Sequence, residues 1–338
     1  MIKNRVGGDR MNDTVYASLN TFVRIKENQL LSKETFDTLL KAQSLNHAFN
    51  QLKSTIYSEL TEQFEEQLMS ILTDTYAQLK QETPKQEVLD VFTLVYTYHN
   101  LKILLKTHIA NMSLMPLLIP IGRYEKDALE QLAKTGTSDV LPKIMVDEVY
   151  HAIAHYKEYG QIQALDILMD RAYFIHLKHI VDDLEQPEVK KIVTAWADLY
   201  NLNCVLRTLH KKVSRSFLLS ILSQTGSMDI NIIVELAMSN RLSDLFAMYR
   251  EKDFSTVLPD IFSVDTCSSI DVEKARDSIA HYYLSNAPYQ AFGMLPVLSY
   301  MYYKEMEIKN LRLILTGKDN DMDEAVLKER MRPIYYGL

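Results

Sequence analysis

The chain has 338 residues, of which 47% are hydrophobic and 24% charged, and only 9 are glycine and 9 proline. This composition can bury a core, and the scarcity of helix-breaking residues favours α-helix throughout. A formal net charge of −7 excludes a broad basic surface for nucleic acid. Cys204 and Cys267 lie in no metal-like spacing and predict free buried thiols in a reducing compartment.

No apolar run is long enough to span a bilayer. The nearest, Leu114–Ile121, is short and contains two prolines, so we interpret it as a buried connection. The first ten residues lack the apolar core of a secretory signal. We expect residues 1–10 to form a flexible extension.

Apolar residues recur at helical spacing along the chain, and no segment alternates in the manner of a strand. Ser32 is expected to cap a helix, although no Glu or Gln follows three residues later to complete a capping box. Gly317 is expected to end the last helix, because glycine tolerates the left-handed conformation found there. The long helices are predicted over 58–80, 88–109, 161–184, 189–211, 272–284 and 300–318, with shorter helices between them.

One seven-residue pattern occurs at Asn100–Lys106, Asn201–Arg207 and Asn310–Thr316. Each copy begins with Asn-Leu, continues with a polar residue and three apolar residues, and ends with a polar residue. Asparagine is a mediocre helix former, so its recurrence at this place in a helix indicates a specific polar contact.

Other landmarks keep the register of this repeat. The second copy follows the first by 101 residues, and the third follows the second by 109. Pro187 and Pro296 are also 109 residues apart, as are two pairs of aromatic residues, 173–174 and 282–283. A repeat of this length predicts an all-α protein of three similar helical domains. The domains are expected at residues 11–113, 114–222 and 223–338.

Metal chemistry is weakly indicated. Glu148, His151 and His155 share one helix face, but a carboxylate-bridged di-metal bundle needs a second Glu-x-x-His unit, and no other His has a Glu three positions before it. Asp182-Asp183 could hold Mg²⁺ in a helical synthase-like enzyme, but such a site needs further carboxylates and a phosphate clamp. A solvated face is the favoured interpretation of both clusters, and no catalytic, cofactor-binding or metal-binding residue is predicted.

A resemblance to a known family covers essentially the whole chain after Met11. It is most specific near the C-terminus, where the residues resemble the signature of the bacterial and archaeal V-type ATPase C-subunit family, whose eukaryotic equivalent is the d subunit. The second copy departs from the others at Asn203 and Cys204. The matching residues are Phe292-Gly293, Tyr300, Tyr303–Ile314 and Gly317-Lys318, and earlier Leu30-Leu31 with Leu39 and Leu40, Leu165-Asp166, Asp170–Phe174, Asn201-Leu202 and Leu206-Arg207.

The resemblance implies three similar helical domains arranged with pseudo-threefold symmetry as a funnel, with no active site. Such a protein sits peripherally on the cytoplasmic face of the membrane, between the central shaft of the ATPase head and the membrane rotor ring. The shaft enters the funnel, and the other face rests on the cytoplasmic loops of the ring. The implied function is to transmit torque, so that ATP hydrolysis or synthesis is coupled to proton or sodium transport.

The repeated asparagines are expected to occupy equivalent places on helices that line or brace the funnel. Their polar neighbours would then face adjacent helices or the shaft, and the alternative is that all are packing contacts within a domain. Two other functions remain open, a helical metal-dependent enzyme and a free-standing helical scaffold. Structural or interface roles are expected for Asn100, Lys102, Asn201, Arg207, Glu305, Glu307, Asn310 and Arg312.

Overall fold

A computed structural model describes residues 14–209, 213–257 and 267–335 of the chain. The predicted N-terminal extension, residues 1–10, lies outside the described residues. Within the described ranges every regular element is helical, with 15 α-helices and four short 3₁₀ turns. The all-α prediction is therefore confirmed. No helix in these ranges has the length and apolar character required to cross a membrane.

The α-helices of the described ranges follow one another in chain order without an intervening strand. They are α1 (Ala17–Glu27), α2 (Lys33–Leu40), α3 (Leu45–Leu52), α4 (Phe64–Glu82), α5 (Glu87–Ile109), α6 (Lys126–Thr135), α7 (Lys143–Tyr159), α8 (Ile162–Leu184), α9 (Pro187–Thr208), α10 (Arg215–Ile221), α11 (Ile230–Met238), α12 (Leu242–Arg250), α13 (Ser269–Leu284), α14 (Leu295–Asp319) and α15 (Glu324–Arg330). The 3₁₀ turns span Thr14–Tyr16, Met115–Leu117, Asp253–Val257 and Ala287–Tyr289.

Serine caps begin several of these helices. The Ser32 hydroxyl accepts a hydrogen bond of 3.2 Å from the Thr35 backbone N–H, as the sequence predicts. Ser44 and Ser214 cap α3 and α10 in the same way. Each cap satisfies one of the backbone donors that the first turn of a helix leaves without a partner.

Several predicted helix boundaries are wrong, including the start of the last long helix, which lies at Leu295 and not at residue 300. The helix expected from residue 58 begins at Phe64, because Gln67 fastens the preceding turn through hydrogen bonds to Thr61 N–H (2.8 Å) and Glu59 C=O (2.9 Å). Gly317 does not end α14, which continues to Asp319. A Cβ atom at position 317 would lie 2.4 Å from a methyl group of Leu327. Glycine is therefore needed there for close packing of α15, not for a cap.

The chain divides into two compact units. The first contains Met1–Leu89 and Leu284–Leu338. Its central element is α14, which packs against α1, α3, α4 and α15 and buries most of its residues. Because α14 is enclosed on several sides, even charged side chains in its middle are removed from water.

The second unit contains Asp90–Tyr283. Here α8 packs against α7 and α9, and residues from α9 to α13 form one hydrophobic cluster. Trp196, the only tryptophan of the chain, lies 4% exposed in α9. Its indole N–H donates to the Arg276 carbonyl at 3.0 Å, and the Arg276 guanidinium lies 4.5 Å from the centre of its ring. The division into three domains at residues 113 and 222 stays a prediction.

Candidate functional site

The first repeated asparagine bonds to both backbone groups of one later residue. Asn100, on α5, donates from its amide to the Ile119 carbonyl at 2.7 Å and accepts from the Ile119 N–H at 2.9 Å. The amide side chain thus pairs with the backbone as another peptide group would. Ile119 lies 19 residues farther along the chain. We call this pair of hydrogen bonds an asparagine clasp.

The other two asparagines form the same clasp. Asn201, on α9, donates to the Ser223 carbonyl at 2.8 Å and accepts from the Ser223 N–H at 2.7 Å. Asn310, on α14, donates to the Arg332 carbonyl at 3.1 Å and accepts from the Arg332 N–H at 2.7 Å. In both of these clasps, the clasped residue lies 22 positions after its asparagine. Each clasp therefore fastens the segment that follows a long helix back onto that helix.

A buried polar side chain lies one turn before each asparagine. Thr97 is 1% exposed, Asp198 is 0% exposed and Glu307 is 4% exposed. Residues three apart on a helix share a face, so each of these side chains points in nearly the same direction as the asparagine that follows it. The long helices consequently share a pair of buried polar positions, which the sequence pattern alone does not reveal.

Asp198 holds the turn that follows Ser223. Its carboxylate accepts hydrogen bonds from the Ser227 N–H (2.8 Å) and hydroxyl (2.7 Å). Burial raises the pKa of Asp198, and the hydrogen bonds from Ser227 oppose that rise. A Cβ atom at position 226 would lie 2.3 Å from the Asp198 carboxylate, so Gly226 allows the turn to approach it. Asp198 and the clasp of Asn201 thus anchor one connection together.

Glu307 is part of a buried ion pair in the first unit. Its carboxylate lies 2.7 Å from the Lys304 ammonium group and accepts hydrogen bonds from the Tyr57 hydroxyl and the Leu31 N–H. The ammonium also donates to the Tyr57 hydroxyl at 2.7 Å. Burial, followed by the charge of Glu307, raises the pKa of Tyr57 well above its ordinary value. The ion pair joins α14 to segments more than 200 residues away in the chain.

The side chain two residues after each asparagine contacts a different helix. Lys102 forms an ion pair of 2.6 Å with Asp170 on α8, and Arg312 forms one of 2.6 Å with Glu65 on α4. In the second copy, the Ser269 hydroxyl of α13 donates to the Asn203 side chain at 2.8 Å. The departure of Asn203 from the basic residues of the other copies therefore changes the kind of contact but keeps a polar link.

The remaining predicted site residues have different surroundings. Glu305 accepts a hydrogen bond from the Tyr76 hydroxyl on α4. Arg207 is exposed, and no carboxylate within the described part of the chain forms an ion pair with it. By contrast Lys106, at the corresponding position of the first copy, lies 2.6 Å from Asp166. Most of the predicted residues therefore bond to other groups within the fold, whereas Arg207 lies at the surface.

The side chains that the sequence analysis considered as possible metal ligands contact other side chains. The His155 ring lies 4.7 Å from that of Tyr159, and His151 makes an edge contact with Tyr150. Asp182 bonds to Lys178 and lies 3.0 Å from Lys190, and these cations lower its pKa. Among the described residues, no group of three or more His, Cys, Asp or Glu side chains is arranged to hold a metal ion.

Comparison with known families identifies the chain. The model of the ATP synthase (C/AC39) subunit family matches residues 19–330. The chain belongs to this family. Its members are non-catalytic accessory proteins of the ATPase complex, which agrees with the resemblance inferred from the C-terminal residues.

Two relatives match over most of their length. The chain is 29% identical over 325 residues to the V-type sodium ATPase C subunit of Enterococcus hirae, in an alignment that covers 95% of this chain and 99% of that protein. It is 22% identical over 329 residues to the A-type ATP synthase C subunit of Methanocaldococcus jannaschii, covering 90% and 82% respectively. The similarity therefore extends across both compact units of this member of the C/AC39 family.

Proposed function

We propose that this protein is the socket of the central stalk, joining the central shaft of the ATPase head to the membrane rotor ring. It transmits torque, so that ATP hydrolysis or synthesis is coupled to ion transport. It sits peripherally on the cytoplasmic face of the membrane. The observation that carries the proposal is the family match over residues 19–330, supported by similarity to the C subunits of both V-type and A-type enzymes.

Torque transmission requires a body that deforms little under load. The described contacts suit that requirement, because buried and fully bonded polar groups hold their neighbours in one arrangement. The clasp of Asn201 and the ion pair of Lys304 with Glu307 are both almost completely enclosed. We propose that these polar contacts stiffen the protein and take no part in chemistry.

We propose that the chain forms three similar domains with pseudo-threefold symmetry, and the recurrence of the clasp on α5, α9 and α14 supports their similarity. Each of these helices makes a polar contact with a helix of another proposed domain. Helix α5 contacts α8, α9 contacts α13, and α14 contacts α4.

The surface residues divide into two proposed roles. Lys102 and Arg312 brace neighbouring helices, whereas the exposed Arg207 contacts an acidic group of the shaft or the ring. The host enzyme transports protons or sodium ions. The name of the Enterococcus hirae relative supports sodium.

Binding to purified subunits tests the proposal. The purified chain is mixed with the shaft subunits and, separately, with the rotor ring of its host enzyme, and each complex is isolated by size-exclusion chromatography. We expect the chain to bind each of them and to bridge the two when all are present. Failure to bridge shaft and ring would remove the socket role, and stoichiometric bound metal in the purified chain would support an enzyme instead.

A further inference from the structure

A cleft opens on the surface of the second unit. Its volume is about 290 Å³, close to the lower end of the range for small-molecule sites. Its walls come from α9, the turn that contains Ser227, the 3₁₀ turn after α12 and the end of α13. We call it the α9 cleft, and its lining includes Lys191, Thr194, Asp198, Lys252, Phe254 and Tyr283.

The α9 cleft is closed at its floor and polar at its mouth. Lys191, Thr194 and Asp198 are spaced at helical intervals, so they share one face of α9. Asp198 is 0% exposed and Phe254 is 5% exposed, whereas Lys191 is exposed. A molecule in the cleft can therefore place a charged group near the mouth and an uncharged part against Phe254.

Three ammonium groups and three carboxylates line the α9 cleft, but half of these groups are already engaged. Both carboxylate oxygens of Asp198 accept hydrogen bonds from Ser227, at 2.8 and 2.7 Å. The Lys190 ammonium lies 3.0 Å from the Asp182 carboxylate. Asp253 interacts with other groups of the chain. The other three charged groups of the lining decide which ligand the cleft fits.

Two of these three groups are the cations Lys191 and Lys252. Among the residues that the structure describes, no carboxylate forms an ion pair with either lysine, and no cation forms one with the exposed Glu251. The Lys191 ammonium lies 5.7 Å from the centre of the Tyr283 ring, so it is held at the cleft. Burial raises the pKa of Asp198, and the charge of Lys252 opposes that rise, which places this ammonium near the floor. The available cations thus outnumber the available carboxylate by two to one.

We propose that the α9 cleft binds a small soluble molecule that carries a phosphate group. Lys191 and Lys252 hold the phosphate, because ammonium groups form strong, charge-assisted hydrogen bonds to its oxygens. Thr194 lies one turn after Lys191 and offers a hydroxyl to the same group. The cleft is larger than a phosphate ion, so an organic part of the ligand packs against Phe254 and Tyr283.

The inference goes beyond the socket role and does not depend on it. A bound ligand would join α9 to the segments that follow α12 and end α13, since all of them line the cleft. Because the ligand binds only the folded chain, it should raise the stability of the second unit. The concave shape of the cleft favours a soluble molecule over the surface of a membrane.

Matched pairs of ligands test whether the phosphate is recognised. AMP and ribose 5-phosphate, and their counterparts adenosine and ribose, are titrated into the full chain by isothermal titration calorimetry. At least one phosphorylated probe should bind with one site per chain, about tenfold or more tighter than its counterpart. Equal affinity within both pairs, or no binding of either phosphorylated probe, would overturn the inference. Binding only to vesicles that contain phosphatidic acid overturns it as well.

Lysine variants test whether the α9 cleft is the site. Lys191→Gln/Lys252→Gln should weaken binding of the phosphorylated probe about tenfold or more, because two charged donors are lost. Lys143→Gln/Lys157→Gln removes the same charge from exposed positions on α7 and should bind as the wild type does. If both double variants lose affinity equally, the attraction is unspecific and the inference fails.

A single variant and a stability measurement keep the test independent of folding. Lys191→Gln changes an exposed residue and leaves Lys252 beside Asp198, and should weaken binding about threefold to tenfold. The unfolding midpoint of the wild type, followed by Trp196 fluorescence, should rise with probe concentration, and the rise should shrink in Lys191→Gln. A midpoint that does not respond to the probe contradicts the inference. Binding to shaft and ring is measured separately, so either proposal can fail without the other.

Discussion

Replacing Asn201 with alanine tests whether a clasp is essential to the fold. Asn201 and Ser223 are both 0% exposed, so water cannot reach the backbone groups that the amide satisfies. Asn201→Ala leaves the buried N–H and the buried carbonyl of Ser223 without partners. Each such group costs about 1–3 kcal/mol, so we expect the free energy of unfolding to fall by about 2–6 kcal/mol.

Trp196 makes the measurement specific to the second unit. It is the only tryptophan in the chain and lies on the same helix as Asn201. Its fluorescence during guanidinium unfolding gives the midpoint and slope from which the free energy is extrapolated. The chain also has 20 tyrosines, so the sample is excited at a wavelength that tyrosine absorbs little. A change in the midpoint then reports the unit that contains α9.

Two controls sharpen the comparison. Asn203→Ala removes a partly exposed amide on the same helix and should cost less than about 1 kcal/mol, because water can replace its bond to Ser269. Asn100→Ala should cost about 1–2 kcal/mol, since Ile119 is only partly buried. If Asn201→Ala destabilises the unit no more than Asn203→Ala does, the clasp contributes little and the reasoning is refuted.

Other predictions concern buried groups. Glu307→Gln should destabilise the first unit by about 3–5 kcal/mol because Lys304 is left buried and charged, whereas Lys304→Met/Glu307→Leu should recover much of that loss; circular dichroism during unfolding measures both. Gly226→Ala should cost about 1–3 kcal/mol through collision with Asp198, as measured by tryptophan fluorescence, and a neutral result would contradict the close approach. Burial lowers the pKa of His176 to about 4, below the unfolded value near 6.5, so the unfolded state takes up its proton first. Stability should therefore fall between about pH 6.5 and pH 4, and His176→Phe should flatten that fall if the reasoning holds.

Local patterns account for what the sequence could predict. Helical periodicity located most long helices, and the serine before a helical run identified the cap at Ser32. The repeated Asn-Leu pattern pointed to Asn100, Asn201 and Asn310 because a poor helix former recurred at one place. Each of these signals is contained within a short stretch of neighbouring residues, so it does not depend on how distant segments pack.

The partners of those residues were harder to predict. Ile119-Pro120-Ile121 and Arg332-Pro333-Ile334 share a pattern that could have identified two of the clasped segments, but Ser223 is followed by Gln-Thr. Lys304 and Glu307 are spaced like an exposed pair on a helix surface. Their burial arises because Tyr57, 250 residues from Glu307, closes over them, and no local pattern encodes that contact.

Gly317 shows the same limit. As a glycine near the expected end of a helix it resembled a cap, and the local rule was reasonable. Its actual role depends on Leu327, which packs where a side chain would otherwise project. The contact with Leu327 therefore explains why glycine is needed at position 317, and the sequence around Gly317 does not show that contact.

Coupling in reconstituted vesicles tests the socket role most directly. The host ATPase is prepared without this protein, and ATP hydrolysis and ion transport are measured before and after the purified chain is added. We predict that ions move only after addition, with hydrolysis and transport then proceeding in a fixed ratio. If the enzyme that lacks this protein transports ions at the normal ratio to ATP hydrolysis, the account is contradicted.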